Sequence, residues 1–363
     1  MDMDFPTRQM ILRGQLAAAR LDALLISHLP NIRYLCGFTG SAGCLLVAEK
    51  SSVFFTDVRY DTQARTEVKG AKVIIARKSV MQALADWIAI RSRKNRWSFG
   101  IEAEYLTVAE RKRLADLLPD GLRLKNAPPL VERARMVKDT GELIKIRAAV
   151  NLGATLFDRA LAVLRPGIKE SALAAEMEFA ARLAGAEGMS FPTIIASGAR
   201  SALPHGRATD QAIASRGFVV CDFGVILGGY CSDQTRTVWV GKVPEDARHA
   251  YDSVKEAQQA AISAVGPGIR AGEVDEAARK VLRKAGLGRF FTHSTGHGVG
   301  LEIHEAPRVG AGQEEILRPG MVITIEPGVY FPGKWGIRIE DMVAVSRNGC
   351  EVLTPTSKNL LAV

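Results

Sequence analysis

The first third of the chain alternates between short apolar runs and stretches in which apolar positions recur with helical spacing. Short apolar runs are typical of buried strands, and helical spacing is typical of helices that pack on a sheet. The strand-like runs are DALLISH (22–28) and GCLLVAEKSSVFFTD (43–57), and the helical stretches are MILRGQLAAARL (10–21) and VMQALADWIAIRSR (80–93). This alternation predicts a separate α/β unit. The pattern ends at Ala127-Pro128-Pro129, so we predict two domains, residues 1–128 and 129–363.

Beyond this break the helices become longer, and one of them recurs. The stretch TGELIKIRAAVNLGATLFDRALAVL (140–164) predicts a long amphipathic helix. Two similar segments then follow at an offset of 101 residues, PGIKESALAAEMEFAARLAGAEG from Pro166 and PGIRAGEVDEAARKVLRKAGLG from Pro267. A helix precedes each copy, and strand-like segments follow it. We therefore predict a duplicated unit that packs around a shared sheet, with chance similarity of two helix starts as the alternative.

Two aspartates interrupt apolar, strand-like runs in CDFGVILGGYCSDQTRT, residues 221–237. Gly228 and Gly229 lie between them and suit the positive φ values of a tight hairpin turn. A turn centred on Leu227 and Gly228 would place Asp222 directly opposite Asp233. A turn centred on Gly228 and Gly229 would make the two aspartates diagonal neighbours. In either register they share one face of the sheet. Two buried like charges repel, so they need bound cations, or a structural pairing of one aspartate with Arg236.

A second pair of carboxylates, Glu326 and Glu340, lies in MVITIEPGVYFPGKWGIRIEDMVAV. We predict that each glutamate belongs to an apolar strand, so that each half of the duplication contributes two acids. Four buried carboxylates converging on one pocket would be strongly destabilising without cations. Two divalent ions would balance their charge.

Histidines occur where such a site would need a nitrogen ligand. The chain has six, and His293, His297 and His304 fall together in THSTGHGVGLEIHEAP, while His205 lies in SALPHG. A site of mostly oxygen ligands with one imidazole suits Mn²⁺, Co²⁺, Fe²⁺ or Zn²⁺ in a carboxylate-bridged dinuclear centre. The glycines around His297 are expected to let the backbone approach the metal.

Composition restricts the classes of function. A chain of 363 residues exceeds one ordinary core, and 47% hydrophobic with 24% charged residues indicates a soluble globular protein. No apolar run is long enough to span a membrane, there is no signal-peptide pattern, and five cysteines without CxxC spacing suit a reducing environment. We therefore expect a cytoplasmic protein without a membrane partner. The net charge of +9 is scattered, and the basic segment RSRKNR (91–96) is typical of solvated surface, so we expect no nucleic-acid partner.

Four motifs carry a family resemblance. In this order, DFGVILGGYCSDQTRT, GHGVGLEIHE, TIEPGVY and GIRIED resemble the metal-ligand motifs of the Xaa-Pro peptidases, the group of aminopeptidase P and prolidase. In the first part of the chain, NIRYLCGFTGSAG and FFTDVRYDTQA resemble the creatinase-type amino-terminal domain of these enzymes, and further on ASGARSALPHG resembles their substrate-pocket segment. The resemblance implies an α/β (α+β) fold, in which a creatinase-like domain precedes a pseudo-twofold pita-bread catalytic domain. It also implies a homodimer.

The same resemblance implies two divalent metal ions, with Mn²⁺ as the first candidate and Co²⁺, Zn²⁺ or Fe²⁺ as others. Asp222 would chelate one ion, and Asp233 and Glu340 would bridge the two. His297 and Glu326 would hold the other ion. A hydroxide bridging the ions would attack the scissile carbonyl, and Glu326 would carry its proton to the leaving nitrogen.

The implied substrate is a peptide or dipeptide with proline as its second residue, cleaved at the Xaa-Pro bond. Catalytic hydrogen bonds to the carbonyl oxygen would come from His304 or His293. The residues expected to bind the substrate are His205, His293, His304, Arg338 and Tyr330.

Other functions on the same scaffold are the alternatives. They are a methionine aminopeptidase, against which the long amino-terminal domain argues, and an amide hydrolase or lyase of small metabolites. A binding module that had lost activity should also have lost ligands, whereas this chain keeps the expected residue type at all five ligand positions.

Overall fold

The structure is a computed structural model that describes residues 3–91 and 97–363. They divide into two compact units, one ending at Arg135 and the other running from Met136 to Val363. This division lies near the predicted domain boundary at residue 128, which itself stays a prediction. Of the basic segment 91–96, all but Arg91 lies outside the described residues. Within the described ranges, no helix is long and apolar enough to cross a membrane.

Helices and strands alternate along the amino-terminal unit, as the sequence pattern predicts. They are α1 Phe5–Ala18, β1 Ala23–Ile26, α2 Leu29–Cys36, β2 Cys44–Ala48, β3 Ser52–Asp57, α3 Asp61–Glu67, β4 Lys72–Ala76, α4 Val80–Arg91, β5 Ser98–Ile101, α5 Val108–Leu117, β6 Arg123–Asn126 and α6 Leu130–Arg135. The strands form a mixed sheet in the order β4-β3-β2-β1-β5-β6. Every residue of β1 and β2 is buried, because these strands lie at the centre of the sheet.

The second unit contains two successive sets of helices and strands. The first set is α7 Thr140–Val163, α8 Glu170–Leu183, β7 Gly188–Met189, β8 Ile194–Ser197, β9 Gly217–Phe223, β10 Val225–Leu227, β11 Tyr230–Cys231 and β12 Gln234–Val240. The second set is α9 Glu245–Ala264, α10 Ala271–Lys284, β13 Gly296–Gly298, β14 Glu305–Val309, β15 Val322–Ile325, β16 Gly328–Phe331, β17 Trp335–Arg338, β18 Asp341–Ser346 and β19 Gly349–Val352. The unit is therefore mixed α/β, as predicted.

The two sets confirm the predicted duplication. Helices α8 and α10 both have 14 residues, and their first residues, 170 and 271, are 101 positions apart. The chain before each helix is held alike, because Gly167 N–H donates to Ile213 C=O at 2.8 Å and Gly268 N–H donates to Leu317 C=O at 2.9 Å. The strands pair as β12-β9-β8 in one set, and as β18-β15-β13 within the sheet β14-β13-β15-β18-β19 in the other.

The turn between the two aspartates is centred on the glycine pair. Gly228 and Gly229 have φ values of +58° and +84°, and Leu227 pairs with Tyr230 across the turn. In this register Asp222 pairs with Thr235, so Asp222 and Asp233 are diagonal neighbours rather than directly opposed. The second of the two predicted registers is therefore confirmed.

The glutamates lie at strand ends and not inside strands, which corrects the prediction. Glu326 follows β15 directly, and Glu340 lies in the short break between β17 and β18. The apolar residues before each glutamate form a strand. Strand pairing has ended at the glutamate itself, whose carboxylate lines the site. This matches Asp233, which lies one residue before β12.

Candidate metal centre and substrate cavity

A cavity of about 610 Å³ in the second unit collects most of the predicted site residues. All five predicted metal ligands line it, as do His205, His293, His304 and Arg338. Tyr330 does not line the cavity and instead reaches it through a hydrogen bond to Arg338. The remaining wall residues are Phe191, Pro192, Ile194, Pro204, Arg207, Ser294, Gly296, Glu305 and Arg308.

Three of the predicted ligands form a tight cluster. One ligand atom each of Asp233, His297 and Glu340 lies within 4.8 Å of the others, a spacing that suits a shared cation. His297 Nε2 lies 3.6 Å from Asp233 Oδ2 and 3.3 Å from Glu326 Oε1. The imidazole therefore faces carboxylates from both halves of the duplication.

Three carboxylate oxygens at this site are buried without a hydrogen-bond partner. They are Asp222 Oδ1, Asp233 Oδ1 and Glu340 Oε1. A buried carboxylate oxygen normally accepts hydrogen bonds, because leaving it unpaired costs the full desolvation penalty of the group. Unpaired oxygens from three acids, together with one imidazole, fit divalent cations as the missing partners.

The electrostatics of the acids agree with this interpretation. Burial raises the pKa of Asp233 well above its usual range, and the charges of Glu340 and Asp222 raise it further. Burial and the charges of Glu326 and Asp222 likewise raise the pKa of Glu340. Without cations these acids are driven to take up protons, and bound cations would relieve the same repulsion.

Glu326 is the exception among the acids. Burial alone would raise the pKa of Glu326, but the hydrogen bond and the charge of His297 outweigh it and lower that pKa to about 2. The same contact raises the pKa of His297 against the opposing effect of burial. Glu326 is therefore held ionised at neutral pH.

Asp222 is hydrogen-bonded to Arg338, which belongs to the second half of the duplication. Arg338 Nη2 donates to Asp222 Oδ2, and Arg338 Nη1 donates to the hydroxyl of Tyr330 at 2.7 Å. His293 Nε2 lies 2.9 Å from the same hydroxyl. Burial raises the pKa of Tyr330 to about 12, so the phenol stays protonated. A chain of hydrogen bonds thus links a candidate metal ligand to a cavity histidine.

Comparisons with known proteins agree with this geometry. The model of metallopeptidase family M24 matches residues 144–347, and the creatinase/prolidase amino-terminal domain matches residues 8–137. The chain belongs to metallopeptidase family M24. It is 38% identical to the uncharacterized peptidase YqhT of Bacillus subtilis over 356 residues, which covers 96% of this chain and 98% of the relative.

Solved structures of the family have the same fold. A Xaa-Pro dipeptidase from Bacillus anthracis matches with a TM-score of 0.96 and 35% identity, over 99% of this chain and 100% of that one. An X-Pro aminopeptidase from Thermotoga maritima matches with a TM-score of 0.88 and 34% identity, over 96% of this chain and 100% of that one. The predicted family and the pita-bread architecture are thereby confirmed, and the chain is a metallopeptidase.

Two residues of the M24 site were missed by the sequence analysis. The hydroxyl of Thr235 donates to Glu340 Oε2 at 2.8 Å and accepts from Arg338 Nε at 3.1 Å. Arg236 forms a buried ion pair with Asp341 at 2.7 Å and donates to the backbone carbonyl of Glu340. The alternative that Arg236 neutralises one of the two aspartates is therefore wrong. The signal was present in the sequence, because both residues directly follow the acid-bearing hairpin.

The glycines around His297 are required by backbone packing, and their predicted role beside a metal stays a prediction. A Cβ at Gly296 would lie 1.9 Å from the carbonyl oxygen of Thr324, and a Cβ at Gly298 would lie 2.2 Å from that of Ala306. The glycines therefore admit the backbones of the neighbouring chain segments. The close packing holds β13, and with it His297, in the sheet.

The cavity histidines differ in exposure. His205 and His304 are exposed, whereas His293 is partly buried. Burial lowers the pKa of His304, and the nearby His297 lowers it further; burial also lowers the pKa of His293. Both imidazoles are therefore neutral at pH 7, and His304 can donate its one N–H into the cavity, whereas both ring nitrogens of His293 are engaged, Nδ1 with the carbonyl of Ser294 at 2.8 Å and Nε2 with the hydroxyl of Tyr330.

The rest of the wall combines apolar and cationic groups. Phe191, Pro192 and Ile194 provide an apolar surface, and Arg207 and Arg308 bring exposed guanidinium groups to the cavity. Arg308 Nε donates to Ser294 Oγ at 2.7 Å. The sequence analysis did not single out any of these five residues. Arg308 lies four positions after His304, and this proximity to the histidine segment was the available signal.

Proposed function

We propose that this M24 metallopeptidase is a dinuclear-metal exopeptidase that hydrolyses Xaa-Pro bonds, with Xaa-Pro dipeptides as its preferred substrates. The observation that carries the proposal is the set of three buried, unpartnered carboxylate oxygens beside His297 in one cavity. Asp222 would hold one ion, His297 and Glu326 the other, and Asp233 and Glu340 both. Two divalent ions in this site would supply Lewis acidity and lower the pKa of a bound water toward neutrality.

Glu326 is the residue best placed to move the proton. Its carboxylate is held ionised beside His297, so it can accept a proton from the attacking water and pass it to the leaving nitrogen. The neutral imidazole of His304 can donate a hydrogen bond to the carbonyl oxygen as it gains charge, whereas His293 would first have to give up its contact with Ser294 or Tyr330. Tyr330 and Arg338 hold His293 and Asp222 in one hydrogen-bonded network.

The cavity wall supports a dipeptide as the substrate. The apolar surface of Phe191 and Pro192, next to His205, suits a proline ring. The guanidinium groups of Arg207 and Arg308 can pair with the free carboxylate that follows the ring in a dipeptide. Relatives named for both dipeptidase and aminopeptidase activity share the fold, so these two arginines carry the choice between the activities.

The test compares three substrates that differ only after proline: Ala-Pro, Ala-Pro-amide and Ala-Pro-Gly-Gly. We expect turnover with Mn²⁺ that is lost on chelation, with kcat/KM for Ala-Pro at least about tenfold above the other two, the size of one charge-assisted contact. A preference for Ala-Pro-Gly-Gly would make the chain an aminopeptidase. Absence of turnover on all three substrates with Mn²⁺, Co²⁺ or Zn²⁺ would refute the proposed Xaa-Pro activity.

Three further expectations remain predictions. They are manganese as the physiological ion, assembly as a homodimer, and a cytoplasmic location. Metal analysis of the purified protein and its sedimentation behaviour would test the first two.

A further inference from the structure

A buried carboxylate holds the wall segment that carries His205. Glu170, the first residue of α8, is completely buried. Its Oε1 accepts hydrogen bonds from the backbone N–H and the hydroxyl of Ser197, both at 2.8 Å. Its Oε2 accepts from Arg200 Nε at 3.0 Å and from the hydroxyl of Thr209 at 2.8 Å. Arg200 Nη2 in turn donates to the carbonyl of Arg207 at 2.6 Å. We name these contacts the Glu170 clamp.

A second buried carboxylate makes the same kind of contact beside the other histidines. Asp275 on α10 is 1% exposed, and its Oδ1 accepts from the backbone N–H of Thr295 at 3.1 Å and from its hydroxyl at 2.8 Å. Its Oδ2 accepts from Arg279 Nε at 2.7 Å. Arg279 Nη2 donates to the carbonyl of His293 at 2.6 Å. We name these contacts the Asp275 clamp.

The two clamps share one chemistry. In each, a buried acid on the second helix of a half accepts from both donors of one Ser or Thr residue. In each, the acid also binds an arginine. This arginine donates a hydrogen bond to a backbone carbonyl at or close to a cavity histidine. Both arginine side chains are 23% exposed, so the clamps are buried to a similar depth.

The clamps do not occupy equivalent positions of the duplication. The residue 101 positions after Glu170 is Ala271, and the residue 101 positions before Asp275 is Ala174. Each half has therefore built the same contact from different residues. A requirement of the duplicated fold alone would place the acids at matching positions.

The clamps act on different parts of the site. The Glu170 clamp ends at Arg207, two residues from His205, on the substrate wall. The Asp275 clamp ends at His293, and the carbonyl of its Thr295 accepts from the backbone N–H of Glu326 at 2.7 Å. His297 lies two residues further along the same strand segment. Neither acid contacts a candidate metal ligand directly: the Asp275 clamp is one backbone hydrogen bond from Glu326 and two residues from His297, whereas the Glu170 clamp reaches a ligand only along β8, whose residue Ile194 pairs with Asp222.

We propose that Glu170 and Asp275 are positioning residues with different roles. Glu170 fixes the position of the substrate wall, and Asp275 fixes the positions of the proposed metal ligands His297 and Glu326. The proposal rests on the proposed function for the roles of these histidines and of Glu326. Charge-assisted hydrogen bonds to a buried carboxylate are stronger than neutral ones, so they hold a loop in one geometry. Partners outside the ligand shell commonly change metal affinity or activity by about 10- to 100-fold.

The experiment removes one hydroxyl from each clamp and compares it with a conservative change. Ser197→Ala and Thr295→Val each delete one hydrogen bond to the acid, and Ser197→Thr and Thr295→Ser keep the hydroxyl. Glu170→Gln and Asp275→Asn remove the charge. Mn²⁺ affinity is measured by calorimetry on metal-free protein, proline affinity by calorimetry on metal-loaded protein, and KM and kcat with Ala-Pro.

Disruption of the two clamps should change different measured quantities. Ser197→Ala and Glu170→Gln should raise KM and weaken proline binding by at least about fivefold, with Mn²⁺ affinity and kcat within about twofold of the parent. Thr295→Val and Asp275→Asn should weaken Mn²⁺ binding by at least about tenfold and lower kcat. Ser197→Thr and Thr295→Ser should restore the parent values.

Two results would overturn the proposal. One is the same loss of Mn²⁺ and proline affinity from both clamps in proportion to a lowered melting temperature, which is the mark of a purely structural role. The other is parent-like binding in all four disruptive variants. If the parent protein does not hydrolyse Ala-Pro, the proposed function fails, whereas the two calorimetric measurements still decide between the clamps.

Discussion

The two halves of the catalytic unit share a framework but differ in what they bring to the cavity. The first half contributes Asp222 and Asp233 from one glycine-turned hairpin, and the second contributes Glu326 and Glu340 from strand ends. Only the second half adds an imidazole at the centre, because the residue 101 positions before His297 is Ala196. Duplication thus explains why Asp233 and Glu340 each lie one residue before a strand, β12 and β18, and departures from it explain the chemistry.

For Asp222 and Glu326, the difference in side-chain length also follows from position. Asp222 lies within β9, where a short side chain reaches the cavity, whereas Glu326 lies just beyond β15. A glutamate has one more methylene group than an aspartate and can compensate for a backbone that is leaving the ladder. The comparison therefore predicts that acids in the two halves are not interchangeable.

The largest effect is expected from Asp233→Asn, which removes the charge of the residue proposed to bind both ions. We expect calorimetry to show one Mn²⁺ bound instead of two, and turnover to fall by more than about 100-fold, since loss of outer partners alone can cost that much. Asp252→Asn, at an exposed acid on α9, is the matched control and should bind two ions. Two tightly bound ions in Asp233→Asn would mean that the bridging assignment is wrong.

Glu326→Asp tests whether the longer glutamate side chain is needed because Glu326 lies beyond the end of β15. The charge is kept, but the carboxylate is drawn back by one methylene group, and a displacement of about 1 Å can cost about 100-fold in rate. We expect kcat to fall by about 100-fold. The variant should still bind Mn²⁺, but more weakly than the parent protein. The control is Glu314→Asp, at a side chain that is 79% exposed. Parent-like kcat in Glu326→Asp would show that reach is not limiting.

The stability of metal-free protein should depend on pH in a direction set by the raised acids. Burial first, then neighbouring carboxylates, raise the pKa of Asp233 and of Glu340, so the folded state binds protons more tightly than the unfolded state. Stability should therefore fall as pH rises above the unfolded values of about 3.9 and 4.3, by up to about 1.4 kcal/mol per pH unit for each group. Glu326, with its pKa lowered to about 2, contributes oppositely only below about pH 4.3.

Bound ions should remove this dependence, because they replace the protons. The measurement is the melting temperature between pH 5 and pH 7.5, once with a chelator and once with saturating Mn²⁺. His293 and His304, whose pKa values are lowered, add stability in both series as pH rises toward about 6.5, so the measured quantity is the difference: the stability of the metal-free protein should change less favourably across this range than that of the loaded protein. Equal slopes in both series would contradict the assignment of these acids to a cation site.

The smallest effect is expected at the turn of the first half. Gly228→Ala places a side chain at φ +58° without a steric clash, because the nearest atom to the new Cβ is Lys145 Cδ at 3.5 Å. The cost should be the left-handed strain alone, about 1–2 kcal/mol in chemical unfolding. Gly153→Ala within α7 is the matched control and should be neutral or stabilising. A clearly larger loss at Gly228 would show that the turn also restrains the aspartates.

Much of this framework follows from the sequence alone. The 101-residue offset and the acids inside apolar runs predicted the duplication and the residues that converge on the cavity, because helix starts and buried charges leave strong local patterns. The two hairpin registers differed by only one residue, and the sequence could not choose between them. The positive φ values of both glycines made that choice in the structure.

The remaining parts depend on contacts that local patterns do not show. Thr235 and Arg236 acquire their partners from strands and loops about 100 or more residues away, so the sequence shows that they follow the hairpin but not which groups they bind. Gly296 is predicted to let the backbone approach a metal, whereas the constraint that the structure shows is the backbone of Thr324 on another strand. Arg207 and Arg308 look like ordinary surface charges until the fold brings them to one cavity.

Arg236 has a consequence for the order in which the molecule is completed. Its guanidinium donates to the carbonyls of Thr356 at 2.7 Å and Ser357 at 3.0 Å, and it also donates to the carbonyl of Glu340. The partners are separated by 104 to 121 residues, and contacts of such long range form slowly because a large loop must close first. The hairpin and the Glu340 segment are also bonded directly, since Glu340 N–H donates to the carbonyl of Thr235 at 3.1 Å, and docking of residues 356–357 adds a third segment to this junction. During refolding, capacity to bind a pair of ions should emerge after most of the helical structure has formed.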